Sequence, residues 1–195
     1  MSAHSEKAGF GFSHQSKKKL FVMNVSPRLL LVRRGREQES FHCGRAVVVN
    51  ASGETVLAIG DVEARAFPRS AIKPLQAVPL VASGAAEKFG LTDAEIALAC
   101  GSHEGSPLHV ETAQSILKKI GSSANDLECG VHWPLDSDES RALAARGEKP
   151  TALHNNCSGK HCGFLAVGAV RGLDTVGYVD ASHPIMREVT NAISL

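Results

Sequence analysis

The stretch RSAIKP, residues 69–74, organises the sequence around a Ser-x-x-Lys pair. Two residues three apart lie on one face of a helix, so Ser70 and Lys73 are expected to face the same way. A serine hydroxyl becomes a strong nucleophile when a base takes its proton, and a neutral lysine amine can act as that base. The pair therefore indicates a nucleophile at a helix start, aimed into a cleft. The alternative is a surface lysine one turn after an N-terminal serine.

Composition limits the class of protein. The chain has 195 residues, of which 43% are hydrophobic and 21% charged, which is typical of one soluble globular domain with a real core. Its 21 Lys+Arg nearly balance its 20 Asp+Glu, so no nucleic-acid or membrane surface is indicated. The five cysteines are an odd number at scattered positions, which favours thiols or ligands in a reducing cytoplasm over a disulfide framework. No segment approaches the ~20 apolar residues of a membrane span.

Hydrophobic patterning predicts an α+β (mixed α/β) fold in which helices cover an antiparallel sheet. Residues 1–26 are basic and without a period, so we expect a disordered tail before one domain over residues 27–195. Strands are expected at 29–32, 43–50 and 55–60, the last two forming a hairpin, with a short strand at 178–180. Helices are expected at about 70–84 (bent at Pro79), from Thr92 to about 100, and at 107–120, 137–146, 158–171 and 184–195.

The segment CGSHEG, residues 100–105, is the second candidate for chemistry. Gly101 and Gly105 can adopt positive φ and let the backbone approach a ligand closely. Ser102 could then present its hydroxyl, or its backbone N–H, to a bound carbonyl group. The alternative interpretation is a plain turn between two helices.

The third candidate is HNNCSGKHCG, residues 154–163. On a helix, Cys157, Lys160 and His161 occupy positions i, i+3 and i+4 on one face. Cysteine and histidine are zinc ligands, and a lysine amine can join them once it has lost its proton. The alternatives are a buried free thiol and a solvent-exposed histidine. The segment lacks the frame of a phosphate-binding loop, so nucleotide binding is not predicted.

Other histidines are assigned to structure. The sequence HWP at residues 132–134 places an aromatic residue next to a proline and is interpreted as packing. His183 precedes Pro184 and is interpreted as a helix entry. The polar residues 154–156 are expected to shape their loop.

Taken together, the three segments and their flanks resemble the Rhizobium etli type II-like L-asparaginases, in order and spacing, over residues 28–191. This is the third structural class of asparaginase, related in fold to serine β-lactamases and glutaminases. The resemblance implies a cytoplasmic homodimer that hydrolyses L-asparagine to L-aspartate and ammonia, with zinc as cofactor.

The resemblance also implies roles for individual residues. Ser70 would attack the side-chain amide with Lys73 as its base, and Ser102 would belong to a second Ser–Lys pair. Which of the two serines is the nucleophile stays open. A zinc ion that orients the substrate would be held by Cys157 and Lys160. The implied substrate-binding residues are Arg69, Gly101, His103 and Asp180.

The chain also departs from the family pattern. Family members are longer, and their third metal ligand (a cysteine) and the lysine of the second pair correspond to positions past Leu195. Met186 stands where the family usually has a glutamine. We therefore expect the N-terminal portion of a β-lactamase-like asparaginase domain. The alternatives are a catalytically inactive remnant, or a related serine amidase acting on glutamine or a β-lactam.

Overall fold

A computed structural model describes residues 26–194. The chain divides into two compact units between Ala66 and Phe67, and each unit is described by itself. The predicted tail, residues 1–26, lies outside the described residues except for its last residue. The prediction of one domain over residues 27–195 stays a prediction.

The first unit contains two antiparallel hairpins. Strands β1 (Arg28–Arg34) and β2 (Glu37–Cys43) pair with each other, as do β3 (Ala46–Val49) and β4 (Thr55–Ile59). The predicted hairpin is confirmed, and the Asn50 side chain closes its turn by accepting the N–H groups of Ser52 and Glu54. Strand β2 was not predicted, because its sequence EQESFHC is largely polar. The strand expected from residue 43 begins only at residue 46.

The second unit is helical, so the α+β class is confirmed. It begins with a 3₁₀ turn, Arg69–Ile72, and contains other short 3₁₀ turns. The helices are α1 (Lys73–Gln76), α2 (Val78–Ala82), α3 (Ala85–Lys88), α4 (Asp93–Ala99), α5 (Pro107–Ile120), α6 (Ser137–Ala145), α7 (Ser158–Arg171) and α8 (Pro184–Ile193).

Two predicted elements in this unit are wrong. The single bent helix from residue 70 is instead a 3₁₀ turn followed by α1 and α2, which are separated at Ala77. Pro79 lacks the N–H that a continuous helix would need at this position, so the segment breaks rather than bends. The strand expected at 178–180 is a turn whose Tyr178 is fully buried. Tyr178 packs in the hydrophobic core and does not pair in a sheet.

Helix α7 forms the centre of the second unit. Its residues from Ser158 to Gly168 are buried, apart from the partly exposed Lys160. A Cβ atom added to Gly159 would lie 2.4 Å from the backbone oxygen of Leu98. Only glycine at position 159 therefore allows α7 to approach the C-terminal end of α4 so closely. This approach brings the loops next to α4 and α7 together. Within residues 26–194, no helix is long and apolar enough to cross a membrane.

Candidate active site

The amine of Lys73 joins the three segments that the sequence singles out. Lys73 is the first residue of α1 and its side chain is only 2% exposed. Its Nζ atom donates to the Gly101 carbonyl oxygen at 3.0 Å, to Ser102 Oγ at 2.9 Å and to the Asn156 carbonyl oxygen at 3.1 Å. The loop after α4 and the loop before α7 therefore meet at one buried nitrogen.

The three partners of Lys73 differ in what they can do. Carbonyl oxygens only accept hydrogen bonds, whereas a hydroxyl both donates and accepts. An ammonium group can donate to all three partners. A neutral amine has two N–H donors for the carbonyls and one lone pair, which can accept the hydroxyl proton of Ser102. The same contacts thus serve both protonation states, and Ser102 is the partner with which Lys73 can exchange a proton.

Ser70 and Arg69 lie on the 3₁₀ turn before α1, and both are exposed. Among the described residues, no hydrogen bond is recorded between the Ser70 hydroxyl and Lys73. Arg69 has a φ of +52°, which lies in the left-handed region that residues other than glycine rarely adopt. Such backbone strain is kept where the surroundings require it, and it often marks a functional site. The strained backbone of Arg69 thus directly precedes the candidate nucleophile Ser70.

His103 is buried and its ring is fully engaged within the protein. Its Nδ1 atom accepts the N–H of Gly105 at 3.2 Å, so the ring proton is on Nε2, which lies 2.9 Å from Ser158 Oγ. Ser158 in turn donates to the Leu153 carbonyl. Burial, assisted by the charge of neighbouring His109, lowers the pKa of His103 to about 4. His103 is therefore neutral, and its hydrogen bond to Ser158 connects the segment after α4 to the start of α7.

The glycines of the second segment behave differently from each other. Gly105 has φ +77°, and a Cβ atom there would lie 2.8 Å from the His154 carbonyl oxygen, so both reasons for glycine apply. Gly101 does not have a positive φ, so the expectation is wrong for this residue. What Gly101 contributes is its carbonyl oxygen, which accepts from Lys73.

A cleft of about 360 Å³ opens beside Ser102. Its lining is mainly apolar, with Ser102 and the stacked rings of His103 and His109 in the wall. The ring centroids are 5.1 Å apart. A small substrate could reach the Ser102 hydroxyl from this cleft.

The residues expected to hold zinc fit the ion in chemical type. Burial lowers the pKa of Lys160, the charge of Lys73 lowers it further, and a negative charge on Cys157 or Cys129 would raise it. Burial thus favours the neutral amine that a metal needs. The part of the chain that the structure describes contains no group of three His, Cys, Asp or Glu residues arranged for a metal. Cys157 and Lys160 are therefore at most part of a ligand set.

His161 has another role than metal binding. Its Nδ1 atom lies 2.6 Å from Tyr178 Oη, and the same oxygen accepts the N–H of Glu128 at 2.9 Å. Burial, with smaller contributions from the charges of Lys160 and Lys73, lowers the pKa of His161 to about 3. The ring is neutral and holds Tyr178 in the core.

Asp180 lies in an exposed turn near the start of α8. Its carboxylate accepts the N–H of Ser182 at 2.7 Å and the Ser182 hydroxyl at 2.6 Å, and these bonds lower the pKa of Asp180. Among residues 26–194, no hydrogen bond connects Asp180 with Lys73 or Ser102. The structure gives Asp180 a turn-forming role, and its predicted substrate contact stays a prediction.

His132 belongs to this site although sequence reasoning assigned it to packing. Its Nε2 atom accepts the N–H of Asn156 at 3.0 Å. Asn156 is the residue whose carbonyl accepts the Lys73 amine. No spacing rule joins residues 24 apart in the chain, and the neighbouring tryptophan and proline favoured a packing interpretation. Only the folded structure could reveal this contact.

Comparison with protein families gives one match. A family model described as L-asparaginase II matches residues 30–195. A comparison with curated proteins finds no match. The matched region contains all three segments that meet at Lys73.

Proposed function

The chain belongs to the L-asparaginase II family, and we propose that it hydrolyses L-asparagine to L-aspartate and ammonia through a Ser–Lys pair. The observation that carries the proposal is the buried Lys73 amine, 2.9 Å from the Ser102 hydroxyl. The motif resemblance to the Rhizobium etli type II-like class supports the same reaction. Family membership supports asparagine hydrolysis in general, and the pair is our proposal for how it occurs.

In the first half of the proposed reaction, Ser102 Oγ attacks the carbon of the side-chain amide of asparagine. Lys73 takes the hydroxyl proton as the new C–O bond forms. The C–N bond then breaks, and Lys73 returns its proton to the departing nitrogen, which leaves as ammonia. The product is an aspartyl ester on Ser102.

In the second half, a water molecule attacks the ester carbon while Lys73 takes one of its protons. The C–O bond to Ser102 breaks, and the proton passes back to the serine oxygen. Aspartate leaves, and both residues regain their starting states. The Gly101 and Asn156 carbonyls keep the amine in place throughout, because they accept its N–H groups in either protonation state.

Ser70 is the second candidate nucleophile. The Ser-x-x-Lys spacing and the resemblance favour it, whereas the hydrogen bond to Lys73 favours Ser102. In the proposal Ser70 and Arg69 form the exposed part of the substrate site. His103 contributes by fixing the position of the loop that carries Ser102.

We also propose that Cys157 and Lys160 hold a zinc ion, together with further ligands. The ion would provide positive charge that orients the polar groups of the substrate. Cys157→Ser should lower the zinc content of the purified protein, measured by elemental analysis. An unchanged ratio of zinc to protein would contradict the ligand assignment.

Trapping the ester distinguishes the two serines. Purified wild-type protein, Ser70→Ala, Ser102→Ala and the control Ser122→Ala are mixed with asparagine, quenched in acid and mapped by peptide mass spectrometry. We expect the aspartyl adduct on the peptide that contains Ser102, and no adduct or ammonia from Ser102→Ala. An adduct on Ser70 would transfer the nucleophile role to Ser70.

The same preparation tests the alternatives. Release of ammonia from asparagine, compared with glutamine and with hydrolysis of a β-lactam, gives relative kcat/KM values. A higher value for either rival substrate would replace asparagine. No hydrolysis of any of them at high protein concentration would support a catalytically inactive protein. The proposed homodimer predicts twice the chain mass in light scattering.

A further inference from the structure

We propose that His132 is a positioning residue for Lys73, acting through the backbone of Asn156. This inference rests on the proposed function, because it assigns His132 to the same Ser–Lys pair. His132 has no recorded hydrogen bond to Lys73 or Ser102 within the described residues, so its effect must pass through another residue.

The hydrogen bonds define the state of the His132 ring. The N–H of Asn156 can only donate, so the Nε2 atom that receives it at 3.0 Å carries no proton. The Trp133 carbonyl can only accept, so Nδ1, 2.6 Å away, carries one. The ring is therefore neutral, and its own backbone neighbour fixes its tautomer. His132 is half-buried, and its two ring nitrogens are both used.

The carbonyl group of Asn156, across the Cα atom from its N–H, contacts the candidate catalytic amine. The Asn156 carbonyl oxygen accepts from Lys73 Nζ at 3.1 Å and from the backbone N–H of His103 at 3.3 Å. One residue thus bonds His132 through its N–H and Lys73 through its C=O. Rotation of the loop at this residue would move the carbonyl that Lys73 requires.

A second contact holds the same two loops together but does not replace His132. The Asn155 side chain donates to the carbonyls of Cys129 and Gly130 at 2.8 and 3.1 Å, and its Oδ1 accepts the N–H of Cys157. Asn155 therefore fixes the residues on either side of Asn156. The N–H of Asn156 itself is fixed by His132.

The position of Lys73 should matter for rate more than for binding. His132 acts on the amine that transfers protons, and small displacements of a catalytic group cost large factors in rate. We expect His132→Ala to lower kcat for asparagine about tenfold, with KM nearly unchanged. His132→Gln keeps a side-chain acceptor and a donor on one planar group, and should recover much of the loss.

His154→Ala is the matched control. His154 is also half-buried and also accepts a backbone N–H through its ring, from Thr151 at 3.0 Å. It lies two residues before Asn156, but within the described chain its side chain makes no hydrogen bond to Asn156 or Lys73. We expect its kcat to stay within about twofold of wild type, a difference too small to reflect a lost catalytic group.

Two readouts that do not need turnover separate this inference from the proposed function. His132→Ala should accelerate hydrogen exchange at the Asn156 amide and increase chemical labelling of the Lys73 amine, whereas His154→Ala should change neither. Thermal unfolding of each variant shows whether the fold is kept. If asparagine is not hydrolysed but these two signals change as expected, the positioning role stands and the proposed substrate falls.

The inference is overturned if exchange at Asn156 and labelling of Lys73 are the same in His132→Ala and wild type. It is also overturned if His132→Ala and His154→Ala reduce kcat equally, or if a folded His132→Gln is no better than His132→Ala. Each of these results would leave His132 with the packing role that its neighbours in the sequence indicate.

Discussion

Lys73 is buried among neutral oxygens, two of them main-chain carbonyls and one a hydroxyl. Carbonyl oxygens can only accept hydrogen bonds. Of these three partners, therefore, only the Ser102 hydroxyl can exchange a proton with Lys73. Burial also keeps water from competing for the amine. The residue is thus held in a geometry that suits proton transfer rather than simple charge pairing.

Removing the amine tests this arrangement. Lys73→Met keeps an unbranched side chain one atom shorter that has no proton to exchange, and Lys73→Arg stays charged. We expect both to lower kcat for asparagine by about 10²–10⁴-fold, the usual contribution of a general base. Lys118→Met, at an exposed position on α5, should match wild type in the same ammonia-release assay. Substantial activity in Lys73→Met would exclude Lys73 as the base.

The sequence indicates the residues of this site better than it indicates their contacts. The three segments stand out because serine, lysine, cysteine and histidine are concentrated beside glycines. Spacing within one helix favours Ser70 as the partner of Lys73, since it is three residues away. The contact of Ser102 with Lys73 joins residues 29 apart in the chain, and the contact of His132 with Asn156 joins residues 24 apart. No local sequence pattern predicts either contact.

At the level of elements, the break between α1 and α2 shows how a single proline overrides a helical pattern. The apolar segment 75–86 has the composition of one helix. Pro74 is tolerated within the first turn of α1, whereas Pro79 cannot donate the hydrogen bond that would extend α1. Capping signals were more reliable: Thr92 and Glu95 form the predicted reciprocal bonds at the start of α4.

The close approach of α7 to α4 predicts different effects for alanine substitutions at two glycines one turn apart. Gly159→Ala places a Cβ atom 2.4 Å from the Leu98 carbonyl oxygen, so we expect it to lower the free energy of unfolding by about 1–3 kcal/mol. Gly163→Ala meets its nearest atom, the Ala99 Cβ, at 3.4 Å. There the gain in helix propensity should offset the tighter contact. Urea unfolding of both variants measures the difference, and equal stability would argue against the tight crossing.

The buried turn at Tyr178 gives a second stability prediction. Tyr178→Phe removes the hydroxyl that bonds His161 and accepts from Glu128, leaving the buried His161 ring and the Glu128 N–H without this partner. We expect a loss of about 1–3 kcal/mol in the free energy of unfolding. Combining it with His161→Leu should cost less than the sum of the two single changes, because they share one hydrogen bond. Strict additivity in urea unfolding would contradict the coupling.

For the whole second unit, two neutral buried histidines predict how stability depends on pH. The pKa values of His103 and His161 are lowered from 6.5 to about 4 and about 3, mainly by burial. Between these values and 6.5 the unfolded chain binds more protons than the folded chain, so stability falls as pH falls through this range. At pH 5 each residue should cost about 2 kcal/mol relative to pH 8.

Thermal unfolding at several pH values between 8 and 5 checks this prediction. The melting temperature should fall steadily below about pH 6.5. A variant in which both histidines are replaced by glutamine should have a lower melting temperature at pH 8 but a weaker dependence on pH. An unchanged slope in that variant would mean that other groups control the acid sensitivity.

The general architecture was accessible from sequence, whereas its division was not. Helical period and caps predict α5, α6 and α7 closely, and the turn after β3 predicts one hairpin. The polar pattern of β2 concealed the other hairpin. The division into two compact units after Ala66 has no glycine- or proline-rich linker to mark it, and the single domain over residues 27–195 stays a prediction.

The three hydrogen bonds of Lys73 span 28, 29 and 83 residues of chain. During synthesis, therefore, the amine cannot acquire all its partners until residue 156 has left the ribosome, long after the Ser-x-x-Lys pair has emerged. Contacts of such long range form slowly, because loop closure must precede them. In refolding, hydrolytic activity should return no earlier than the fluorescence of Trp133, the only tryptophan of the chain and the neighbour of His132.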